Sequence, residues 1–259
     1  MSPEYSQQLE RRFVVGANWK CNGSSAYIKK LVKDLNESQL PHAVEVWCAP
    51  PFIYLENVRS SLSSRFAVAA QNCWIGPGGA FTGEISAEML ADACVKWVII
   101  GHSERRRLCG ESDSIVAEKV AYALSQGLST VICVGETLHE HASGEAFTVC
   151  KRQLNHIVQR VSPSDWDKIV IAYEPIWAVG TGKVATPEYA QLIHASIRAY
   201  IGSVVSVAVA SRIRIQYGGS VNPGNCTSLA RQKDIDGFLV GGASMRSHDF
   251  VAICRAGAQ

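Results

Sequence analysis

The chain has 259 residues, 47% of them apolar and 19% charged, with 21 glycines and 9 prolines. This composition excludes a disordered chain, a collagen-like repeat and a coiled coil, and the length allows one large domain or two small ones. The 25 basic and 23 acidic residues leave a formal charge of +2, too small and too dispersed for non-specific nucleic-acid binding.

No stretch approaches the ~20 apolar residues that a bilayer span demands. The longest strongly apolar stretch, Ala199–Ser211, is interrupted by serine and glycine, so no membrane association is expected. Met1–Arg12 is polar, has no apolar centre followed by a cleavage site, and is expected to be a disordered extension rather than a signal peptide. The nine cysteines are odd in number and contain no Cys-x-x-Cys pair. Neither a disulfide framework nor a thiolate zinc site is implied, and a reducing, cytosolic setting is expected.

Short runs rich in valine and isoleucine recur along the chain. The first, Phe13–Val15, is followed by Ser25–Leu35, where Ile28, Leu31, Val32 and Leu35 share one helical face. Val44–Cys48, Phe66–Ala70 and Trp97–Ile100 come next. Ser114–Leu124 then places Ile115, Val116, Val120 and Leu124 on a second helical face, with Gly127 as its stop. Thr130–Val134 and Ile169–Tyr173 precede Thr186-Pro187-Glu188, which reads as an N-cap with proline at the first helical position. Ile213–Tyr217, a second such start at Asn222-Pro223, and Phe238–Val240 complete the series. The runs do not alternate cleanly, which predicts strands covered on both faces, as in a parallel sheet.

Strand then helix, eight times over in 259 residues, predicts an α/β protein built as a single closed (β/α)8 barrel over residues 13–259. A doubly wound open sheet is the competitor. It usually opens on a glycine-rich dinucleotide turn, whereas the first strand here runs into Ala17-Asn18-Trp19-Lys20.

Barrel enzymes gather their chemistry where strands end. Those positions hold Asn18 and Lys20, then His102, Ser103 and Glu104, then Glu174, and finally the turns Gly218-Gly219-Ser220 and Gly241-Gly242-Ala243-Ser244. Paired glycines make tight turns, but at two adjacent strand ends they also let backbone amides approach an anion. Glu174 against an apolar wall would have its pKa raised towards the working range of a general base. Alone, each of these residues has an ordinary structural reading; together they suggest a base, an electrophile and a cation around a small phosphorylated carbonyl compound. Gly180-Thr181-Gly182-Lys183 ends like a phosphate-binding P-loop, but Trp177 and Val184 stand where that motif needs glycine and a hydroxyl. His139-x-His141 reads as a solvated loop, and Arg105-Arg106-Arg107 as a helix surface paired with acids.

Seven ordered blocks carry a family likeness: Gly16-Ala17-Asn18-Trp19-Lys20, Gly79-Ala80-Phe81-Thr82-Gly83-Glu84, Gly101-His102-Ser103-Glu104-Arg105-Arg106, Val131-Ile132-Cys133-Val134-Gly135-Glu136, the stretch from Ala172 to Lys183, Tyr217-Gly218-Gly219-Ser220, and the stretch from Gly237 to Ser244. In these the chain resembles the triosephosphate isomerases along almost its full length. The resemblance implies interconversion of dihydroxyacetone phosphate and D-glyceraldehyde 3-phosphate through an enediolate, with no cofactor and no metal. It assigns proton transfer to Glu174, carbonyl polarisation to a neutral His102, and fixed positive charge to Lys20 with Asn18 beside it. Glu104 is expected to pair with Lys20, and Ser103, Cys133 and Tyr217 to support the site. Phosphate ligands would be Gly180, Ser220, Gly241 and Gly242, under a lid comprising Pro175, Trp177, Gly180, Thr181, Gly182, Lys183 and Ala185. A homodimer is implied, with Thr82 reaching towards the partner and Cys21 in or beside the interface. Two stretches depart from the family pattern: Ser203–Ser211, and the turn Met245-Arg246-Ser247-His248. The remaining alternatives are another phosphate-binding barrel enzyme and a non-catalytic binding or adhesion role on a retained barrel.

Overall fold

Each of the eight apolar runs becomes a strand, and the strands pair in parallel and in chain order until the last closes on the first. They are β1 (Val14–Asn18), β2 (Glu45–Ala49), β3 (Ala67–Ala70), β4 (Trp97–Ile100), β5 (Ser129–Val134), β6 (Ile169–Tyr173), β7 (Arg214–Tyr217) and β8 (Gly237–Val240). The computed structural model describes residues 11–179 and 184–258. The helices are α1 (Ser25–Asn36), α2 (Phe52–Ser61), α3 (Ala87–Asp92), α4 (Ser103–Leu108), α5 (Asp113–Ser125), α6 (Leu138–Ala142), α7 (Ala146–Val158), α8 (Pro187–Val204), α9 (Val207–Arg212), α10 (Cys226–Ala230) and α11 (Ser247–Ala256).

The missing alternation has the cause inferred from the sequence. One face of each strand packs outward on the helices, while the other fills the barrel with Val14, Trp47, Trp97, Ile99, Val170 and Leu239 among others. Trp47 and Trp97 stack with centroids 6.5 Å apart. Gly16 faces them because any Cβ there would stand 2.1 Å from the Trp47 ring. The open-sheet alternative is thereby set aside: β1 takes β2 on one side and β8 on the other.

The helix signals hold with one exception. Helix α1 buries Ile28, Leu31, Val32 and Leu35 under a Ser24 cap, and Thr186 caps α8 with Pro187 at its first position. Helix α5 buries Val116, Val120 and Leu124 of the expected face but leaves Ile115 half-buried, and Gly127 follows its end at φ +84°. Asn222-Pro223 does not start a helix. The Asn222 side chain accepts from the Gly224 amide and its own amide donates to the Asn225 side chain, so those residues form a turn and α10 begins at Cys226. Residues 1–10 of the expected N-terminal extension lie outside the described residues. Arg11, within it, is tied at 2.6 Å to the carboxylate of Asp236 and at 2.8 Å to the carbonyl of Lys233. The apolar stretch Ser203–Ser211 forms the end of α8 and most of α9, with Val209 and Ala210 buried and Val207 exposed. No helix among the described residues is long and apolar enough to cross a membrane.

Candidate active site

Glu174 is the first residue beyond β6, and its position is fixed by what its neighbours lack. A Cβ on Gly135 would lie 1.8 Å from the Glu174 carbonyl oxygen, and one on Gly218 would lie 2.9 Å from its Cγ. Glycine at both places lets the loops after β5 and β7 close around the glutamate. Its side chain is 2% exposed; one carboxylate oxygen meets His102 Nε2 at 2.9 Å and the other accepts from the Ser103 amide at 3.0 Å. Two residues on strand ends far apart in sequence therefore touch.

His102 caps α4, its Nδ1 accepting from the Glu104 amide at 3.3 Å. A ring nitrogen that accepts carries no proton, so Nε2 holds the hydrogen and donates it to Glu174. Burial pulls the pKa of this ring down, the Glu174 carboxylate pushes it up, and the push prevails while the two are in contact. For Glu174, burial acts upward, but His102, the Ser103 amide and Lys20 together hold the carboxyl below the ordinary value. This corrects the expectation that the apolar wall raises it: the wall is present, and the partners outweigh it.

Lys20 sits in a strained backbone, at φ +52°. Two contacts hold it there: its amide donates to Asn18 Oδ1 at 3.0 Å, and Gln71 Nε2 donates to its carbonyl at 2.8 Å and to that of Ala49 at 2.9 Å. Its ammonium reaches Glu104 at 2.7 Å, the pairing expected from the sequence.

These groups open into a hollow of about 360 Å³ whose other wall includes Ser220, Gly241 and Gly242. Ser220 donates to the carbonyl of Ala178 at 2.9 Å, joining the turn after β7 to the segment after β6. In that segment Pro175 precedes a short turn, and the indole of Trp177 donates to buried Glu136 at 2.7 Å. Tyr173 donates to the same oxygen at 3.0 Å. Ala185 is buried beyond it, and the buried Tyr217 hydroxyl meets its backbone. Gly180, Thr181, Gly182 and Lys183, named from the sequence as lid and phosphate residues, lie outside the described residues.

One second-rank reading changes, and that of the arginine triplet holds. His141 is not in a solvated loop: it lies on α6, stacked on Trp177 with centroids 4.1 Å apart and bonded to the Tyr189 hydroxyl at 2.9 Å. Of the arginine triplet, Arg105 and Arg106 pair with Glu111 and Asp113, both at 2.6 Å. Arg106 also donates inward to the carbonyls of Gly101 and Cys133, fastening the ends of β4 and β5. Cys133 is fully buried, and burial, together with the charge of and a hydrogen bond to the Glu174 carboxylate, pushes its thiol pKa far up, so it stays protonated beside that residue. Cys21 and Thr82 are both exposed on the single chain. Sequence reasoning did not single out the roles of Gln71, Arg106 and Glu136, since each depends on partners brought from other strand ends: the Lys20 and Ala49 carbonyls, the Cys133 carbonyl, and the Tyr173 hydroxyl with the Trp177 indole.

The family described as triosephosphate isomerase matches residues 13–257. A chloroplastic triosephosphate isomerase of Secale cereale is 55% identical over 245 residues, covering 95% of this chain and 82% of the relative. A cytosolic triosephosphate isomerase of Oryza sativa subsp. japonica is 53% identical over 240 residues, covering 92% and 94%. One from Stellaria longipes, also cytosolic, is 51% identical over 247 residues, covering 95% and 96%. With the closed barrel and the contact between Glu174 and His102, a likeness of this extent makes the chain a member of the triosephosphate isomerase family.

Proposed function

We propose that this chain interconverts dihydroxyacetone phosphate and D-glyceraldehyde 3-phosphate with Glu174 as the base and His102 as the proton donor to oxygen. The observation that carries the assignment of roles is their 2.9 Å contact at the floor of a hollow shared with Lys20 and the glycine turns. When substrate enters, Glu174 leaves Ser103 and His102 and takes a proton from the carbon beside the carbonyl. Electrons move to the carbonyl oxygen, which receives the Nε2 proton or its hydrogen bond, and the enediolate forms. Glu174 then returns its proton to the former carbonyl carbon, while the hydroxyl on the carbon first deprotonated passes its proton, by way of His102 Nε2, to the other oxygen and becomes the new carbonyl. The proton leaves and comes back, so the balance needs no redox partner.

Neutral His102 suits this role. Once Glu174 turns to the substrate, the main influence raising the ring's pKa is gone and only the lesser one of Glu104 remains; burial, Lys20 and the start of α4 all disfavour a second proton. Lys20 offers charge to the developing oxyanion and to phosphate, with the amides of Gly241 and Gly242 and the Ser220 hydroxyl on the phosphate side. Pro175–Ala185 serves as the lid that excludes water from the enediolate. The reading of a non-catalytic barrel has no observation in its favour, because the groups needed for proton transfer are present and in contact.

The assembly we propose is a homodimer through the loop 72–84, supported by exposed Thr82, by Phe81 paired with Trp74 at 4.4 Å, and by exposed Cys21 beside Lys20. Cytosolic location is supported by nine free thiols and by the cytosolic relatives. The deciding experiment is a coupled assay of wild type and Glu174→Asp. The shorter carboxylate should lower kcat by about 10²–10⁴ while KM moves little. An inactive wild type, or an equal loss of binding and turnover, would sink the assignment.

A further inference from the structure

One charged side chain at the mouth has no part in the proton transfers. Arg246 follows the short turn Gly242–Met245, and its backbone amide donates to the Ala243 carbonyl at 3.2 Å. Arg246 lines the same hollow as Ser220, Gly241 and Gly242, and also the neighbouring cleft beside Tyr27 and Asp34, and its side chain is 66% exposed. Asp249, on the first turn of α11, holds the guanidinium by one edge, Nε to Oδ2 at 2.5 Å. Among the described residues its two terminal nitrogens make no hydrogen bond.

The charges of the mouth show what this cation is for. Among the described side chains lining the hollow, the ionised groups are Lys20, Glu174 and Arg246. Lys20 is already paired with Glu104, and Glu174 is held as a carboxylate. Without Arg246, Lys20 stands against both Glu104 and Glu174, and a phosphate ester carrying nearly two negative charges at neutral pH would approach a site whose carboxylates repel it. Backbone amides recognise phosphate at contact distance, but they do not attract it from afar.

We propose that Arg246 is the rim cation that draws a dianionic phosphate ester into the mouth, with Asp249 setting the strength of that pull. The inference rests on the functional reading above. Arg246 acts on encounter and on positioning at the phosphate end; it does not touch the reacting carbons. Its reach is about one Debye length, ~8 Å at physiological salt, so its effect fades as salt is added.

The test compares wild type, Arg246→Gln and Asp249→Asn by kcat, by kcat/KM and by titration with inorganic phosphate, each from low to high ionic strength. Arg246→Gln should lower kcat/KM roughly three- to tenfold at low salt, leave kcat within about twofold, and converge on wild type as salt rises. Asp249→Asn, which removes the opposite charge from the same place, should move kcat/KM upward at low salt. Calorimetry should show inorganic phosphate bound more weakly by Arg246→Gln than by wild type, with the same salt dependence. A salt-independent deficit, a parallel fall in kcat, or loss in both variants would assign Arg246 a packing role and overturn the inference. If wild type isomerises triose phosphates and Arg246→Gln matches it at every ionic strength, this inference alone fails. If wild type neither turns over triose phosphate nor binds phosphate, the functional reading fails with it.

Discussion

Lys20 shows at the scale of one residue that a side chain can be placed at the expense of its own backbone. A lysine at φ +52° occupies the left-handed region, which costs a non-glycine residue about 1 kcal/mol. Asn18 and Gln71 hold it there by gripping its amide and its carbonyl, and the ammonium comes out at the mouth. In Lys20→Gly the relief of strain is offset by the extra freedom of glycine in the unfolded chain, about 0.5–1 kcal/mol, and by loss of a part-exposed ion pair that contributes at most ~1 kcal/mol. Thermal melting should therefore stay within a few degrees of wild type while isomerisation is lost. A drop well beyond that range would show that the Lys20–Glu104 pair stabilises the fold more than the backbone strain disturbs it.

At the scale of the element, the turns around Glu174 matter more than the strands themselves. The loops after β5 and β7 pinch it from two sides, and a methyl group on Gly218 would meet Glu174 Cγ at 2.9 Å. Gly218→Ala should displace the carboxylate by a fraction of an ångström. Misplacement on this scale costs about 10-fold to 10²-fold in turnover, and since the tightest contact is with a side-chain carbon while the Tyr173 carbonyl, at 3.3 Å, needs to yield only a few tenths of an ångström, the melting temperature should change by only a few degrees. Steady-state kinetics beside a melt will separate the two effects; equal kinetics would mean that Glu174 is less tightly set than the structure indicates. The strands of this site were legible because burial on both faces leaves continuous valine and isoleucine, and α8 was legible because Thr186-Pro187 leaves its amides few other partners. Asn222-Pro223 misled because the competing partner, the Asn225 side chain, is itself a turn former. The cluster of Tyr173, Trp177, His141 and Glu136 was not legible at all: its members come from separate elements, and only the closed barrel brings them together.

At the scale of the molecule, eight repeated units foretold closure, and closure is what lets β4 and β6 present His102 and Glu174 to each other. The strand-end rule selected both residues, but the lowered pKa of Glu174 depended on contacts that no pattern in the chain encodes. Closure also buries groups that have no part in the chemistry. His194, fully buried on α8, bonds through Nδ1 to the Ala190 carbonyl at 2.7 Å and lies against the rings of Tyr173 and Tyr217. Burial, the largest influence on it, pulls its pKa down to about 4 from the usual 6.5. Between those values the unfolded chain holds a proton on this ring that the folded protein does not, so stability rises with pH through the window and falls as pH is lowered. From pH 7 to pH 5 the loss due to this residue should be roughly 2 kcal/mol, and it should level off only below the folded value. Urea unfolding at fixed protein concentration, compared with His194→Asn, whose amide can still donate to Ala190, isolates this contribution from the carboxylates that titrate in both proteins. The wild type should lose that much more stability than the variant over the interval; parallel slopes would mean that His194 is protonated, or reached by water, inside the folded barrel.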